Sequence, residues 1–182
     1  MRFTPTAIPD VLLIEPKVFG DARGFFMETW ESAKFAAAGV DAKFVQDNHS
    51  SSSQWVLRGL HYQLRHTQGK LVRVVLGEVL DVAVDMRRSS PTFGRHVAQR
   101  LSGENKLALW IPPGFAHGFL VLSERVEFTY KCTDFYDPSS ERTLLWNDPT
   151  LAIDWLIDPG ITPAVSAKDA AGVPLALATS FP

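Results

Sequence analysis

Val56-Leu57-Arg58-Gly59-Leu60-His61-Tyr62-Gln63 reads as a β-strand that carries a site. Val56, Leu57 and Leu60 favour a half-buried strand, and an arginine, a histidine and a glutamine share the same short backbone. Arg58 and His61 have opposite parity, so they face one pocket only if Gly59 twists or bulges the chain. The plainer alternative is a barrel strand with one satisfied histidine and one solvated arginine. The flanking sequence decides between them.

Downstream, Lys70 to Leu76 and Val79 to Met86 are strand-like, and Gly77-Glu78 between them predicts a tight hairpin. Lys70 shares parity with Val72, Val74 and Leu76; if that face is inward, its ammonium is buried and needs an anion to meet it. His96 to Leu101 and Leu107 to Ile111 are further strands, the first preceded by the turn Ser89-Ser90-Pro91-Thr92 and the second stopped by Pro112-Pro113-Gly114. In Phe115 to Val121, His117 lies on the face of Phe115, Phe119 and Val121. Tyr130 likewise shares a face with Val126, Phe128 and Cys132. Lysine, histidine and tyrosine on inward faces predict a ligand cavity rather than a filled barrel.

Upstream, Val11 to Ile14 is a short strand, Phe19 to Gly24 a turn and Phe25 to Trp30 a strand, with Arg23 and Glu28 bracketing it. Glu31 to Ala38, closed by Gly39, is the one clear helix pattern. Gln46-Asp47-Asn48-His49 is a polar cluster, and Ser50 to Ser53 reads as a loop. Past Asp134-Phe135-Tyr136-Asp137-Pro138 come Glu141 to Trp146 and a Pro/Asp-rich tail containing Lys168 and Asp169. Short strands at close spacing predict an all-β sandwich or barrel, and the jelly roll is the member of that class able to hold a pocket. No Gly-rich loop runs from a strand into a helix, which argues against a dinucleotide fold.

The 182 residues fit one domain spanning 1–182, with N-terminal strands and a C-terminal tail. A net charge of -2, without any Lys/Arg run, predicts neither nucleic-acid binding nor a basic membrane patch. The single Cys132 cannot form an intramolecular disulfide and suits a reducing compartment. With no hydrophobic leader at the N-terminus and no apolar run near the roughly 20 residues of a membrane helix, a cytoplasmic, soluble protein is expected.

Pro112-x-Gly114-x-x-His117 resembles the second half of the metal signature of cupin barrels. The first half is absent: His61-Tyr62-Gln63 offers one imidazole where a His-x-His pair and a following carboxylate are needed. No metal is therefore expected.

Further motifs span most of the chain: Arg23-Gly24-x-Phe26, Gln46-Asp47-Asn48, Leu57 to Gln63, Gly69 to Val74, Asp81-Val82-Ala83-Val84-Asp85, Ile111 to Phe119 and Tyr130-Lys131-Cys132-Thr133. Together they resemble the dTDP-4-dehydrorhamnose 3,5-epimerases. The resemblance implies a metal-free, cofactor-free cupin-type jelly-roll homodimer with short peripheral helices. It implies inversion of C3 and C5 of dTDP-4-keto-6-deoxy-D-glucose, on the route to dTDP-L-rhamnose. On it, His61 is the base, Tyr130 the acid, Lys70 the group beside the C4 oxygen and Asp169 the partner of His61. Arg23, Glu28, Gln46, Asp47, Asn48, Arg58, His117, Glu141 and Lys168 form the implied substrate-binding set, and Tyr136 the ring that stacks on thymine. Trp55, which stands where the family often has glycine, His66 and Leu156 depart from its pattern.

Elementary chemistry agrees with that assignment. A proton beside a ketone can be removed without a cofactor because the carbonyl takes up the charge as an enolate, and a preorganised donor at that oxygen is worth about 10²–10³-fold in rate. Inversion needs the new proton to arrive on the opposite face, so an acid and a base must flank the ring. Alternatives of the same fold are an epimerase acting at C3 or C5 alone, a ketoisomerase, and a sugar-nucleotide-binding cupin without turnover.

Overall fold

A computed structural model describes residues 1–182. In chain order the strands are β1 (Arg2–Pro5), β2 (Leu12–Glu15), β3 (Val18–Asp21), β4 (Gly24–Met27), β5 (Gln46–Ser53), β6 (Leu57–Gln63), β7 (Lys70–Leu76), β8 (Glu78–Asp85), β9 (His96–Ser102), β10 (Ala108–Ile111), β11 (Phe115–Val121), β12 (Arg125–Cys132) and β13 (Glu141–Thr143). Two short helices, α1 (Ser32–Ala37) and α2 (Ala167–Ala170), lie at the periphery. The strands form a six-stranded sheet, β1-β2-β10-β7-β12-β5, facing a five-stranded sheet, β13-β6-β11-β8-β9, with β3 and β4 as a separate hairpin. The fold is an all-β jelly roll of the cupin type. No helix is long and apolar enough to cross a membrane.

Alternation places the core and the cavity between the same two sheets. Along β12 the inward row runs Val126, Phe128, Tyr130, Cys132, and along β7 it runs Lys70, Val72, Val74. Val72, Val74, Val126 and Phe128 meet Val79, Leu101, Phe119 and Val121 in an apolar core, while Lys70, Tyr130 and Cys132 line the open end. The outer face of the five-stranded sheet is covered by the tail through Leu151, Trp155 and Phe181. Helix α1 covers the other sheet, its Phe35 packing with Leu71, Ala108 and Trp110. The Glu31 carboxylate caps α1 by accepting from the Ala33 and Lys34 N–H groups at 2.9 and 3.1 Å.

Three local expectations change. Gly77 does not close a hairpin: β7 lies between β10 and β12, whereas β8 lies between β11 and β9 in the opposite sheet. Only Gly77 separates the two strands, at φ 81°, and a Cβ there would stand 2.0 Å from the Arg125 carbonyl oxygen; it is a corner between sheets. Ser50–Ser53 are strand rather than loop, because β5 pairs with β12 residue by residue from Gln46↔Cys132 to Ser53↔Arg125. Phe19 to Asp21 also belong to a strand, paired with Gly24 to Phe26 around a two-residue turn at Ala22-Arg23. Trp55, His66 and Leu156 all have left-handed φ, of 64°, 50° and 58°, so they hold conformations that favour glycine.

Candidate active site

β6 and β11 cross at two glycines. His61 lies opposite His117 and Arg58 opposite Phe119, so two steps along β11 match three along β6. That bulge, with Gly59 at φ 112°, resolves the parity conflict: Arg58 and His61 line one cavity. A Cβ on Gly59 would approach the Gly118 Cα to 2.6 Å, and one on Gly118 would approach the Arg58 carbonyl oxygen to 2.4 Å. Only two glycines allow so close a crossing.

The bulge also frees the Gly59 N–H, which donates to Asp169 Oδ2 at 3.3 Å. Asp169 Oδ1 lies 2.5 Å from His61 Nε2. Asp169 sits in the first turn of α2, whose N-cap Ser166 accepts the Asp169 N–H at 3.1 Å. Burial pushes this carboxyl up, but the hydrogen bond and charge of His61, helped by the Gly59 N–H, hold it below its ordinary value.

The cavity has a volume of about 640 Å³. His61 and His117 enter it from the five-stranded sheet, and Lys70 and Tyr130 from the six-stranded sheet. Lys70 has no hydrogen-bonding partner among the protein groups; burial pushes its ammonium pKa down, opposed by Cys132, Asp81 and Glu141. Burial raises the Tyr130 phenol, with Arg58 pulling the other way, so its proton is retained at neutral pH. His117 Nε2 lies 2.9 Å from Asp81 Oδ2, and burial holds this imidazole below its ordinary pKa despite Asp81.

At the mouth, Glu141 accepts from Lys168 Nζ at 2.9 Å and from the Tyr136 hydroxyl at 3.0 Å. Burial pushes the Glu141 carboxyl up, but these two hydrogen bonds leave it lowered. Gln46, Asn48 and Arg58 complete the wall; Gln46 donates to Asn48 Oδ1 at 3.0 Å, and Arg58 Nε donates to Ser52 Oγ at 3.1 Å.

Eleven of the fourteen expected site residues therefore line one cavity, and Arg23, Glu28 and Asp47 do not. Asp47 alternates to the outer face of β5 and pairs with Lys131 at 2.9 Å. Arg23 is at the tip of the β3–β4 hairpin, paired with Asp21, and Glu28 pairs with Lys34. Residues that carried no predicted role also reach the site: Asp81 behind His117, Cys132 in the wall, and Gln63 under the loop that bears Tyr136. Asp81 is detectable in principle, as an acid between Val79 and Ala83 on the same face of the strand.

A model of the dTDP-4-dehydrorhamnose 3,5-epimerase family matches residues 5–176. A Pseudomonas aeruginosa protein named dTDP-4-dehydrorhamnose 3,5-epimerase is 59% identical over 183 residues, covering all of both chains. The epimerase RmlC from Legionella pneumophila, solved with dTDP-4-keto-L-rhamnose, superposes with a TM-score of 0.93 at 52% identity, covering 97% of this chain and 93% of that one. ChmJ, a 3′-monoepimerase from Streptomyces bikiniensis solved with dTDP-quinovose, gives 0.87 at 33% identity, covering 94% and 87%.

Proposed function

The chain belongs to the dTDP-4-dehydrorhamnose 3,5-epimerase family and is an isomerase, and we propose that His61 and Tyr130 are the base and acid with which it inverts C3 and C5 of dTDP-4-keto-6-deoxy-D-glucose. The observation that carries this reading is the His61–Asp169 pair on one wall of a cavity whose other wall holds Lys70 and Tyr130.

In this mechanism His61 removes the proton beside the C4 ketone and becomes an imidazolium, stabilised by the Asp169 carboxylate. The electron pair moves into the carbonyl, and Lys70 stabilises the oxygen of the enolate. Tyr130 then protonates the carbon from the opposite face, after which the excess proton on His61 and the deficit on Tyr130 are exchanged with solvent. C3 and C5 both flank C4, so one constellation serves both positions in turn. A well-placed general base contributes about 10²–10⁴-fold. Since the ketone itself holds the charge, the step calls for no cofactor.

Arg58 is suited to the diphosphate, as is Arg23 once a partner's hairpin brings it to the cavity, Tyr136 to stacking on thymine, and Gln46, Asn48, His117, Glu141 and Lys168 to the remaining polar groups of the substrate. Arg23 and Glu28 point to a homodimer. The β3–β4 hairpin leaves Phe19, Phe25 and Phe26 between 52 and 69% exposed, an apolar surface that a partner would cover. A hairpin reaching into the partner's cavity would bring both charged residues to a substrate. A fully active monomer by light scattering would remove this part of the proposal. Residues 1–182 act in this reading as one jelly-roll domain without nucleic-acid partners, in the cytoplasm.

Proton NMR of the sugar nucleotide in deuterated water, with chelator-treated protein, tests the reaction. Deuterium is expected at both C3 and C5. Incorporation at one carbon alone would make the protein a single-site epimerase, and none at either would eliminate the enolate mechanism.

A further inference from the structure

The loop between β12 and β13 carries Tyr136, and three glutamine side chains hold it. Gln68 Nε2 donates to the Asp134 carbonyl at 2.8 Å, and Gln46 Oε1 accepts the Tyr136 N–H at 3.1 Å. Gln63 makes the most extensive attachment. Its Nε2 donates to the carbonyls of His66 at 2.7 Å and Phe135 at 3.1 Å, and its Oε1 accepts the Asp137 N–H at 3.1 Å. Gln63 thus grips the loop on both sides of Tyr136 while remaining 95% buried, at a relative exposure of 5%.

Both amide hydrogens and the carbonyl of Gln63 are engaged by backbone, so the side chain acts on the loop rather than on a ligand. Its place in the chain gives this attachment a consequence. Gln63 is two residues from His61 on β6, and by alternation both side chains leave the same face of that strand. The strand that presents the imidazole therefore also anchors the Tyr136 loop. We infer that Gln63 is a positioning residue: it fixes the Tyr136 ring at a set distance from His61, so that a nucleotide held by the ring presents its sugar in register with the base.

This inference rests on the reading of Tyr136 as the stacking ring. Remote binding of this kind matters because energy gained at the nucleotide orients the reacting carbon, and small misplacements at the reacting centre are costly. Removing the loop's bonds to Gln63 should weaken dTDP binding about tenfold, the equivalent of one or two hydrogen bonds.

The test is calorimetric titration of dTDP into the full chain. Gln63→Glu keeps the size of the side chain but turns a carboxylate toward two carbonyl oxygens, and protonation gives it back one donor. It should bind dTDP about tenfold more weakly than the parent at pH 8 and recover toward the parent as pH falls, with the parent measured at each pH as reference. Gln63→Leu should bind weakly at every pH. Adding Tyr136→Ala to Gln63→Glu should cost nothing beyond Tyr136→Ala alone, because both act through one ring. Parent-like affinity of Gln63→Glu at pH 8, or losses that simply add, would overturn the inference. Undiminished affinity in Tyr136→Ala alone would instead sink the stacking reading, and the inference with it, while leaving the epimerase assignment to the deuterium experiment.

Discussion

Two histidine–carboxylate pairs stand side by side in this cavity, on directly opposed positions of β6 and β11, and their surroundings differ. In the first, the His61 side chain is 26% exposed and both oxygens of Asp169 are engaged, by His61 and by the Gly59 N–H. In the second, His117 is 7% exposed, Asp81 is fully buried, and Asp81 Oδ1 has no partner. A carboxylate anchored at both oxygens beside an accessible imidazole is suited to a proton's arrival. Burial around His117 opposes that arrival, so this imidazole stays neutral and has the character of a fixed hydrogen-bonding group. In the proposed mechanism the same pair of residue types serves proton transfer in one place and orientation in the other, with solvent access as the difference between them.

Opposite consequences of the two histidine deletions test this contrast most severely. His61→Ala should reduce kcat by about 10³-fold or more, as loss of a general base does, and should cost less stability than His117→Ala because the Asp169 carboxylate keeps the Gly59 N–H. His117→Ala should retain measurable proton exchange but lose about 1–3 kcal/mol of stability, because it leaves the buried Asp81 side chain without its hydrogen bond. Deuterium exchange and thermal unfolding on the same two proteins provide the check. A His61→Ala protein that still exchanges would dismiss His61 as the base.

The carboxylates should show a smaller version of the same division. Asp169→Asn keeps the shape but withdraws the charge that stabilises the imidazolium, and should lower kcat by about 10–100-fold, the scale seen when a histidine's outer partner is lost. Asp81→Asn leaves a neutral partner for a neutral ring, and should act mainly on KM. Equal losses of kcat in the two variants would erase the distinction between the pairs.

Much of this arrangement is legible in the sequence, for a physical reason: side-chain alternation is a local property. Parity alone puts Lys70, His117 and Tyr130 on inward faces, and it marks Gly59 as the place where Arg58 and His61 must be reconciled. Alternation is silent about which strand lies alongside. Gly77 therefore reads as a hairpin turn when it is a corner between sheets, and a serine run with no apolar residue reads as loop although its pairing to β12 is continuous. There the inward residues Gln46, Asn48 and Ser50 line a polar cavity, so the usual apolar signature of a strand is missing. The Asp81–His117 contact joins residues 36 apart in sequence on neighbouring strands and follows from topology alone. Asp169 lies 108 residues from His61 in the C-terminal tail, so its pairing with His61 follows from family resemblance and not from periodicity.

The finest test of the contrast is the dependence of stability on pH. Burial holds His117 below the ordinary histidine value when folded, so in acid the unfolded chain takes up a proton that the folded chain refuses. Its contribution is present above the unfolded pKa of about 6.5 and is lost as pH falls through the folded value. His96 is lowered by burial as well and adds to the slope. Asp169 is lowered too, but the stability it supplies disappears only when pH falls below the unfolded carboxylate value of about 4. Between pH 7.5 and 5 the unfolding temperature should therefore decline through the histidines and not through Asp169. His117→Gln, whose amide can still donate to Asp81, should make that decline shallower without abolishing it, since His96 remains. An unchanged slope in His117→Gln would mean that the buried pair does not exclude a proton, and the physical difference between the two histidines would be gone.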